Sequence, residues 1–268
     1  MPRRELGLAQ VGGPSLPTMP RSLHSRSADD AAPWDTEALP QGEAKVTAVR
    51  QMFDAIAPRY DMVNRIMTFR LDVRWRRKAV DLLALATGST VVDLAAGTGD
   101  LCADLESAGH LPLAFDLSYG MLAAATVQSP RVQADILRLP LPDGAVDGAT
   151  CGFALRNLVD LPAFFAELAR VVRRGGRIAL LDVGVPRNRL VRVGHGIYFG
   201  RIVPRVGGWL SDPAAYRYLP RSVAYLPPSD EMVVQLRRAG FGYATHRVFT
   251  LGVAQLLTGT RGAPPGPA

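Results

Sequence analysis

Apolar residues recur along the chain at two spacings, first at a helical period and then in short runs. Over residues 43–57 the apolar side chains lie on one predicted helical face, and they are Val46, Val49, Met52, Phe53 and Ile56. A second helix is predicted from about Val73 to Leu85. These two helices form a helical segment that precedes the first strand signal.

From residue 90 onward, strand-like runs alternate with helical stretches. The predicted strands are Thr90–Leu94, Leu111–Phe115, Arg131–Ala134, Val146–Cys151 and Arg177–Leu181. One helix is predicted to begin near Ser118, and another covers 162–173 and is expected to stop at Gly175 and Gly176. This alternation predicts an α/β fold with a doubly wound, mostly parallel sheet and helices on both faces.

The two ends of the chain show no such period. Residues 1–40 contain many Pro, Ser and Gly residues and are predicted to be a disordered extension, as is Gly262–Ala268. Of the 268 residues, 48% are hydrophobic, which is enough for one sizeable core. Cys102 and Cys151, the only cysteines, lie in predicted regular elements and suit a reduced, cytoplasmic protein without a disulfide or a metal site.

The formal net charge of +7 raises the question of an anionic partner. Of the 31 basic residues only Lys45 and Lys78 are lysines, so 29 are Arg. Such a bias can reflect composition as much as selection, and it does not decide between a membrane and RNA. The segment 187–210 carries five Arg and no acid among apolar residues, which resembles an interfacial helix–turn–helix for a lipid tail and anionic head groups. The alternative is a solvated basic face over an ordinary core.

Three successive predicted strands end at an acid, namely Asp93, Asp116 and Asp135. The carboxyl ends of parallel strands are where open α/β sheets bind ligands. Between Asp93 and Asp100 lies the turn Gly97-Thr98-Gly99. Two carboxylates beside such a turn would repel a pyrophosphate, whereas S-adenosylmethionine carries a cationic ammonium and a cationic sulfonium. The loop therefore favours S-adenosylmethionine, with the glycines letting the backbone approach the methionine portion.

The other two acids suit the nucleoside portion of the same cofactor. Asp116, followed by Leu117, is placed to accept both ribose hydroxyls, although it could instead cap the next helix with Ser118. Asp135 could accept the adenine amino hydrogens, with Ile136 on the ring face. Its alternative is a solvated loop acid.

Further motifs make the chain resemble the menaquinone/ubiquinone biosynthesis C-methyltransferases over about residues 46–261. The more specific motifs are FDAIAPRYD at Phe53–Asp61, FALRN at Phe153–Asn157 and YRYL at Tyr216–Leu219. The resemblance implies a Rossmann-like class I methyltransferase with a seven-stranded sheet. It also implies S-adenosylmethionine as cofactor and a ring carbon of a polyprenylated quinol precursor as methyl acceptor. The expected acceptor is demethylmenaquinol, with a demethylated ubiquinol precursor as the alternative.

The family pattern also implies how the domain is divided. The methyltransferase domain is expected over residues 43–261. Its expected parts are a helical lid at 43–86, a cofactor-binding core at 88–182, an acceptor- and membrane-facing insertion at 187–225, and a C-terminal helix and strands at 229–260.

Carried over residue by residue, the resemblance implicates Thr98, Asp116, Asp135 and Ile136 in cofactor contact. It implies that Arg156 and Asn157 hold the quinol oxygens. Because the pKa of Arg exceeds about 12, Arg156 would lower the pKa of a ring hydroxyl or orient a water rather than act as the base. The alternative is a surface turn that caps the next helix.

Tyr60 is expected in the lid over the cofactor, with Asp61, unless the two only pack at a helix end. Neither His195 nor His246 is expected to be a base.

Several positions depart from the family pattern. Arg70 and Val73 stand where Gly and Arg are typical, Asp182 where Glu is typical, Leu257 where His is common, and Gly152 where Ser is frequent. These departures leave open a related methyltransferase with another phenolic or lipid acceptor. A non-catalytic S-adenosylmethionine- or RNA-binding protein is the alternative from another class, although no aromatic stacking platform accompanies the basic residues. We expect peripheral association with the inner face of the cell membrane, no nucleic-acid partner, and a protein that could form a homodimer.

Overall fold

Seven strands form one sheet in the computed structural model, which describes residues 41–186, 188–203, 205, 218 and 221–262. The strands are β1 (Thr90–Leu94), β2 (Leu111–Asp116), β3 (Arg131–Gln133), β4 (Val146–Gly152), β5 (Val172–Val183), β6 (Phe241–Phe249) and β7 (Ala254–Arg261). Their order is β3-β2-β1-β4-β5-β7-β6. Strands β1 to β5 pair in parallel, and β7 runs antiparallel to both β5 and β6. The predicted doubly wound, mostly parallel sheet is confirmed.

Helices precede the sheet and connect its strands. They are α1 (Gly42–Ile56), α2 (Tyr60–Met67), α3 (Leu71–Leu83), α4 (Asp100–Ser107), α5 (Tyr119–Ala124), α6 (Leu161–Val171), α7 (Arg189–Ile197) and α8 (Ser229–Arg238). A π-helical turn, Tyr198–Ile202, continues α7. Within the described ranges, no helix is both long enough and apolar enough to cross a bilayer.

Alternating side chains of the central strand explain why both sheet faces are covered. Val91 and Val92 are both fully buried, but they belong to different hydrophobic clusters. Val91 packs in a cluster with Trp75 and Leu83 of α3, whereas Val92 packs in one with residues of α6 such as Phe164. Because successive side chains of a strand point to opposite faces, one apolar run can bury against helices on both sides.

A third cluster covers the carboxyl edge of the sheet. Met52 and Ile56 of α1, Val63 of α2 and Met121 of α5 are buried together there. Helix α1 also contacts the short 3-10 segment Leu155–Asn157, which follows β4. The N-terminal helices therefore lie over the strand ends, where the acids of the sequence are found.

The sequence prediction was wrong about Gly175 and Gly176, which do not stop the helix. Helix α6 ends at Val171, and both glycines lie inside β5 beside a register shift between Val146 and Gly148. A Cβ on Gly176 would lie 2.5 Å from the carbonyl oxygen of Asp147, and Gly175 has a φ of +78°. The glycines are needed for a bulge in a strand, not for a helix cap.

The predicted disordered segments, residues 1–40 and most of Gly262–Ala268, lie outside the described residues. So does much of the predicted insertion, including the YRYL motif apart from Tyr218. Cys102 and Cys151 are both buried and are not joined to each other.

Candidate active site

Two adjoining cavities lie at the edge of the sheet where β1, β2 and β4 end. The larger has a volume of about 620 Å³ and the smaller about 420 Å³. Both are lined by Tyr60 of α2, by Ala95 and Gly97 after β1, and by Gly152 and Phe153 at the end of β4. The two cavities therefore meet at these residues, at the usual ligand-binding edge of an open α/β sheet.

The glycine turn brings backbone directly against the cavities. Gly97 has a φ of +57° and lines both cavities, and a Cβ added there would meet no atom within 4 Å. Gly99 has a φ of +88° but lines neither cavity. A Cβ at Gly99 would clash with the Val127 side chain at 2.7 Å. Gly97 thus leaves ligand space open, whereas Gly99 is required by the turn and by packing.

Asp116 ends β2 and lies in the wall of the larger cavity. Its Oδ2 accepts the backbone N–H of Gly97 at 2.8 Å, and its Oδ1 accepts that of Ser118 at 2.7 Å. Burial raises the pKa of Asp116, and the two N–H donors oppose that effect. Ser118, not Asp116, is the N-cap of α5, since its hydroxyl accepts the Met121 N–H. One lone pair on each oxygen of the Asp116 carboxylate remains for a ligand.

Asp135 and Ile136 lie beyond β3 on the same wall of the larger cavity, as does Leu117. Asp135 is exposed, and its Oδ1 accepts the Leu137 N–H at 2.9 Å. Ile136 is buried. An acceptor and an apolar surface lie side by side, as an adenine ring would require.

Asp93 is almost fully buried at the wall of the smaller cavity. Its Oδ1 accepts the Thr150 hydroxyl at 2.8 Å, and its Oδ2 accepts the Cys102 thiol at 3.5 Å. Burial raises the pKa of Asp93 to about 6, against the opposing effect of those two donors. Asp93 is therefore ionised at neutral pH but close to titrating.

Thr98 ties the glycine turn to α2, the helix that begins at Tyr60. The Thr98 hydroxyl donates to the Asp61 carboxylate, so it holds α2 and is not directed solely at a ligand. Tyr60 lines both cavities, and burial raises its pKa. The expectation that Tyr60 belongs to a lid over the cofactor stays a prediction.

Arg156 follows β4 and is buried in the wall of the smaller cavity. Its Nη1 pairs with the fully buried Asp182 and donates to the Phe153 carbonyl at 2.7 Å, and its Nε donates to the Ser222 hydroxyl at 3.1 Å. Burial disfavours the charged guanidinium, but Asp182 more than offsets this and the pKa of Arg156 is raised. The two N–H groups on Nη2 have no acceptor among the described residues.

A set of ion pairs joins α3 to α4 in the wall of the smaller cavity, which Asp72, Arg76 and Asp100 line. Arg76 pairs with Asp72, Asp100 and Asp104, and Arg65 also pairs with Asp100 at 2.8 Å. Asp100 is therefore neutralised by two guanidinium groups. Asp100, expected from the sequence to be an unpaired negative charge beside the glycine turn, is thus paired, and of these two acids only Asp93 keeps that role.

A family model, that of the ubiE/COQ5 methyltransferase family, matches residues 41–261. The chain belongs to the ubiE/COQ5 methyltransferase family. It is 40% identical over 235 residues to demethylmenaquinone methyltransferase of Roseiflexus castenholzii, which covers 85% of this chain and 99% of the relative. It is 38% identical over 228 residues to ubiquinone/menaquinone biosynthesis C-methyltransferase UbiE of Geobacter sulfurreducens, covering 80% of this chain and 88% of that one. The resemblance stated from the sequence motifs is confirmed.

The fold is also shared with solved methyltransferases of low sequence identity. A SAM dependent methyltransferase from Aquifex aeolicus superposes with a TM-score of 0.53 at 16% identity, covering 74% of this chain and 96% of that chain. The predicted Rossmann-like class I fold is confirmed.

In this methyltransferase nearly all predicted site residues line one of the two cavities. Those at the larger cavity are Asp116, Leu117, Asp135, Ile136 and Asn157, those at the smaller are Asp93, Thr98 and Arg156, and Tyr60 and Gly97 line both. Gly99 is the exception. Arg156 and Asn157 thus face different cavities, whereas the sequence prediction had them hold the same ligand oxygens.

The sequence motifs included Tyr218 and Ser222 but did not reveal that these residues support Arg156 and Asn157. The Tyr218 hydroxyl donates to Asn157 Oδ1 at 3.0 Å, and Ser222 and Asp182 orient Arg156 as described. Asp182 had been noted only as a departure from the family pattern. Lys45, one of two lysines, was not singled out, although it is buried against the Arg156 segment. Its burial could not be predicted, because a lysine in a helical pattern normally lies on the solvent-exposed face.

Proposed function

We propose that this methyltransferase transfers a methyl group from S-adenosylmethionine to a ring carbon of a demethylated, polyprenylated quinol, with demethylmenaquinol as the acceptor. The observation that carries the proposal is the pair of unlike cavities that meet at Tyr60, Gly97, Gly152 and Phe153. The larger has Asp116 and Asp135 along one wall, and the smaller combines apolar and aromatic side chains with Asp93 and Arg156. A donor and an acceptor bound in these cavities would meet at the shared residues, as direct transfer requires.

The residues of the larger cavity fit S-adenosylmethionine. Asp116 has lone pairs left for two ribose hydroxyls, and Asp135 with Ile136 offers an acceptor beside an apolar face. Gly97 leaves room for the ligand at the junction, and Asp93 supplies negative charge on the smaller-cavity side of it. When bound, the cofactor supplies a methyl group made electrophilic by the sulfonium. Asp93 and the Gly97 backbone would hold its cationic methionine end and aim it at the junction.

The smaller cavity fits an aromatic ring with an apolar tail. Its apolar and aromatic lining consists of Met67, Phe69, Leu71, Trp75, Leu101, Phe153, Val183, Val191, Tyr198 and Val253. The Trp75 indole N–H is already bound to the Thr250 hydroxyl at 2.9 Å, so the ring presents its apolar face without an unsatisfied donor. Burial of an isoprenoid chain against such a wall contributes about 25 cal/mol per Å² of apolar area.

Arg156 would act on the oxygen of the bound quinol. A guanidinium that stays charged and has two free donors at this cavity stabilises a quinolate oxygen and lowers the pKa of the ring hydroxyl. A ring closer to the phenolate state has more electron density at its nucleophilic carbon. Arg156 does not take the proton itself, since its pairing with Asp182 outweighs the effect of burial and holds its own pKa above the usual value.

Methyl transfer from labelled S-adenosylmethionine to a short-chain demethylmenaquinol, under reducing conditions with detergent, tests the proposal. We expect a ring-methylated product. Cofactor binding without product would point to another phenolic acceptor, and a demethylated ubiquinol precursor is the first to try. Absence of both cofactor binding and product would overturn the proposal.

We also propose that the mouth of the smaller cavity rests on the inner face of the cell membrane. Helix α7 exposes Leu190, Val193 and Ile197, while its Val191 and His195 line the cavity. Arg189 and Arg192 lie on the same helix, which carries no acid. An apolar ridge flanked by Arg suits the interface of an anionic bilayer.

Co-sedimentation with vesicles of about 30% anionic phospholipid tests this surface. Leu190→Glu should reduce the bound fraction, whereas Leu111→Glu, at the amino end of β2, should not. Equal binding by both variants would argue against α7 as the membrane contact.

A further inference from the structure

Lys45 of α1 is a buried lysine whose contacts reach across the active site. Its Nζ donates to the carbonyl oxygen of Arg156 at 3.0 Å and to that of Leu158 at 2.9 Å. The same ammonium lies 3.5 Å from the ring centroid of Tyr225. Lys45 is only 2% exposed. One side chain therefore joins α1, the segment after β4 and the turn Val223–Tyr225.

These contacts offset the cost of removing the Lys45 ammonium group from water. Both hydrogen-bond acceptors are neutral carbonyls and the third partner is an aromatic face, so the charge is held by dipoles and a ring quadrupole. Burial lowers the pKa of Lys45 to about 8. An arginine could donate to the same carbonyls and stack on the ring, but an uncharged side chain of similar length could do neither.

Lys45 joins two parts of the wall of the larger cavity, one at its backbone and one at its ammonium group. On the α1 side, Glu43, Val46, Thr47, Val49 and Arg50 form one wall of the larger cavity. On the other side, the two carbonyls flank Asn157, which lines the same cavity, and one of them belongs to Arg156. The ammonium thus fixes the distance between the helical wall and the segment that carries the acceptor-binding arginine.

We propose that Lys45 is a positioning residue that fixes α1 over the cofactor cavity and at the same time sets the Arg156–Asn157 segment. Without it, α1 would keep its packing on α5 but lose these hydrogen bonds to the segment after β4, so this wall of the larger cavity would be held less firmly. This inference rests on the proposed function, because it assigns the larger cavity to the cofactor.

The chain offers a matched pair of variants. Lys45→Met keeps the length and the apolar stem but removes the donor, and Lys45→Arg restores a charged donor. Lys78→Met is the control, because Lys78, on α3, is the only other lysine and is solvent-exposed beside Asp81. The first readout is the Kd of S-adenosylhomocysteine measured by calorimetry, which needs no acceptor. The second is hydrogen exchange of the amides of α1 with and without that ligand.

For Lys45→Met we expect at least about a tenfold weaker Kd and loss of the ligand-induced protection of α1, with Lys45→Arg within about threefold of wild type. Lys78→Met should match wild type in both readouts. Should Lys45→Met not fold, Tyr225→Leu keeps the lysine and removes the ring, and about a three- to fivefold weaker Kd is expected.

Two results would overturn the inference. One is a wild-type Kd and unchanged α1 exchange in Lys45→Met. The other is an equal loss in Lys45→Met and Lys45→Arg, which would mark a packing defect. If the wild-type protein binds S-adenosylhomocysteine but does not methylate demethylmenaquinol, the proposed acceptor is wrong. The Lys45 experiment remains valid in that case, because it measures only binding of the cofactor product.

Discussion

The two cavities of the site are built in different ways. The wall of the larger one is assembled from residues that follow successive parallel strands, with Asp116 after β2 and Asp135 after β3. The smaller one is closed by helices distant in sequence, with Trp75 on α3, Val191 on α7 and Val253 just before β7. The acidic wall of the first is therefore fixed by local strand–loop geometry, with α1 docked opposite it, whereas most of the lining of the second depends on how several helices dock.

This difference bears on how each side can change during evolution. A carboxylate at the end of a buried parallel strand cannot move without displacing the sheet. The helices around the smaller cavity can shift or exchange apolar residues at modest cost, since volume-conserving apolar changes are tolerated. The departures from the family pattern at Arg70, Val73 and Asp182 lie on or next to the helix–strand surroundings of the smaller cavity. Of the other two departures, Gly152 lines both cavities and Leu257 neither, so three of the five fall on the side of the smaller cavity.

The largest expected effect is at Arg156, on the acceptor side. Arg156→Lys keeps the charge but loses the planar fork that reaches Asp182, the Phe153 carbonyl and Ser222 together. We expect kcat to fall by about 100-fold or more, while the Kd of S-adenosylhomocysteine stays within about threefold. Steady-state kinetics with demethylmenaquinol and calorimetry with the cofactor product measure the two sides separately.

Arg156→Ala is a less informative variant, because it leaves Asp182 buried without its partner and costs about 3–5 kcal/mol of stability. The conservative control is Asp182→Glu, which introduces the residue typical of the family and should retain most of the activity. A wild-type kcat in Arg156→Lys would remove Arg156 from the proposed chemistry.

On the cofactor side the largest effect is expected at Asp116. Asp116→Ala removes the carboxylate proposed for the ribose hydroxyls and also releases the Gly97 and Ser118 N–H groups. Loss of about 3 kcal/mol of charge-assisted hydrogen bonding corresponds to about a 100-fold weaker Kd for S-adenosylmethionine. The exposed Asp135 should contribute less, so we expect the Kd of S-adenosylmethionine to be about tenfold weaker in Asp135→Ala. Calorimetry of both variants checks the ranking, and an intact affinity in Asp116→Ala would contradict the assigned binding mode.

The contrast between the cavities also explains which parts of the fold and of the site could be predicted from the sequence. Strand runs and the acids that end them are local signals, so β1, β2 and the positions of Asp93 and Asp116 were predicted closely. The motif LRN at Leu155–Asn157 identified the segment after β4. Short-range patterns of this kind predict structure well because they depend only on how a strand ends.

The rest could not be predicted because it depends on tertiary contacts between distant residues. Nothing near Arg156 in sequence reveals Asp182 or Ser222 as its partners, which lie 26 and 66 residues away. Gly175 and Gly176 mark a bulge that depends in part on the Asp147 carbonyl of the neighbouring strand. Similarly, the separation of Arg156 and Asn157 into two cavities follows from the turn at their backbone, not from their adjacency.

A smaller effect is expected from the titration of Asp93, at the boundary of the two cavities. With a pKa of about 6, about a quarter of Asp93 is ionised near pH 5.5, so S-adenosylmethionine should bind about fourfold more weakly there than near pH 7.5. The Kd measured by calorimetry across this range checks the slope. Asp93→Asn should bind weakly at both pH values and lose the difference.

The stability of the free protein should respond to Asp93 with the opposite sign. Its pKa in the fold is raised by burial above the unfolded value, so its contribution to the free energy of unfolding is full below about pH 4 and is lost as pH rises through about 6. Acid should therefore strengthen this contribution while weakening cofactor binding. If the cofactor affinity and the Asp93-dependent stability instead change in the same direction with pH, Asp93 does not bind the cofactor through its charge.

The smallest expected effect is at Arg70, in the turn between α2 and α3 beside the smaller cavity. Arg70 has a φ of +60°, a left-handed conformation that favours glycine, and Phe69 before it has a φ of +52°. Its N–H bond to the Arg65 carbonyl, at 2.9 Å, would be kept by glycine. Arg70→Gly should therefore raise the free energy of unfolding by up to about 1 kcal/mol, and Arg70→Ala should not. Denaturant unfolding of the two variants measures the difference.

The same variant asks whether the strained turn serves the acceptor side alone. Phe69, exposed at the end of α2, lines the smaller cavity but not the larger one. If the strain shapes the mouth of the acceptor cavity, Arg70→Gly should change the KM for demethylmenaquinol and leave the Kd of S-adenosylmethionine unchanged. A stabilised protein with both constants unaltered would mean that the turn is merely strained, and that the acceptor side varies there without consequence.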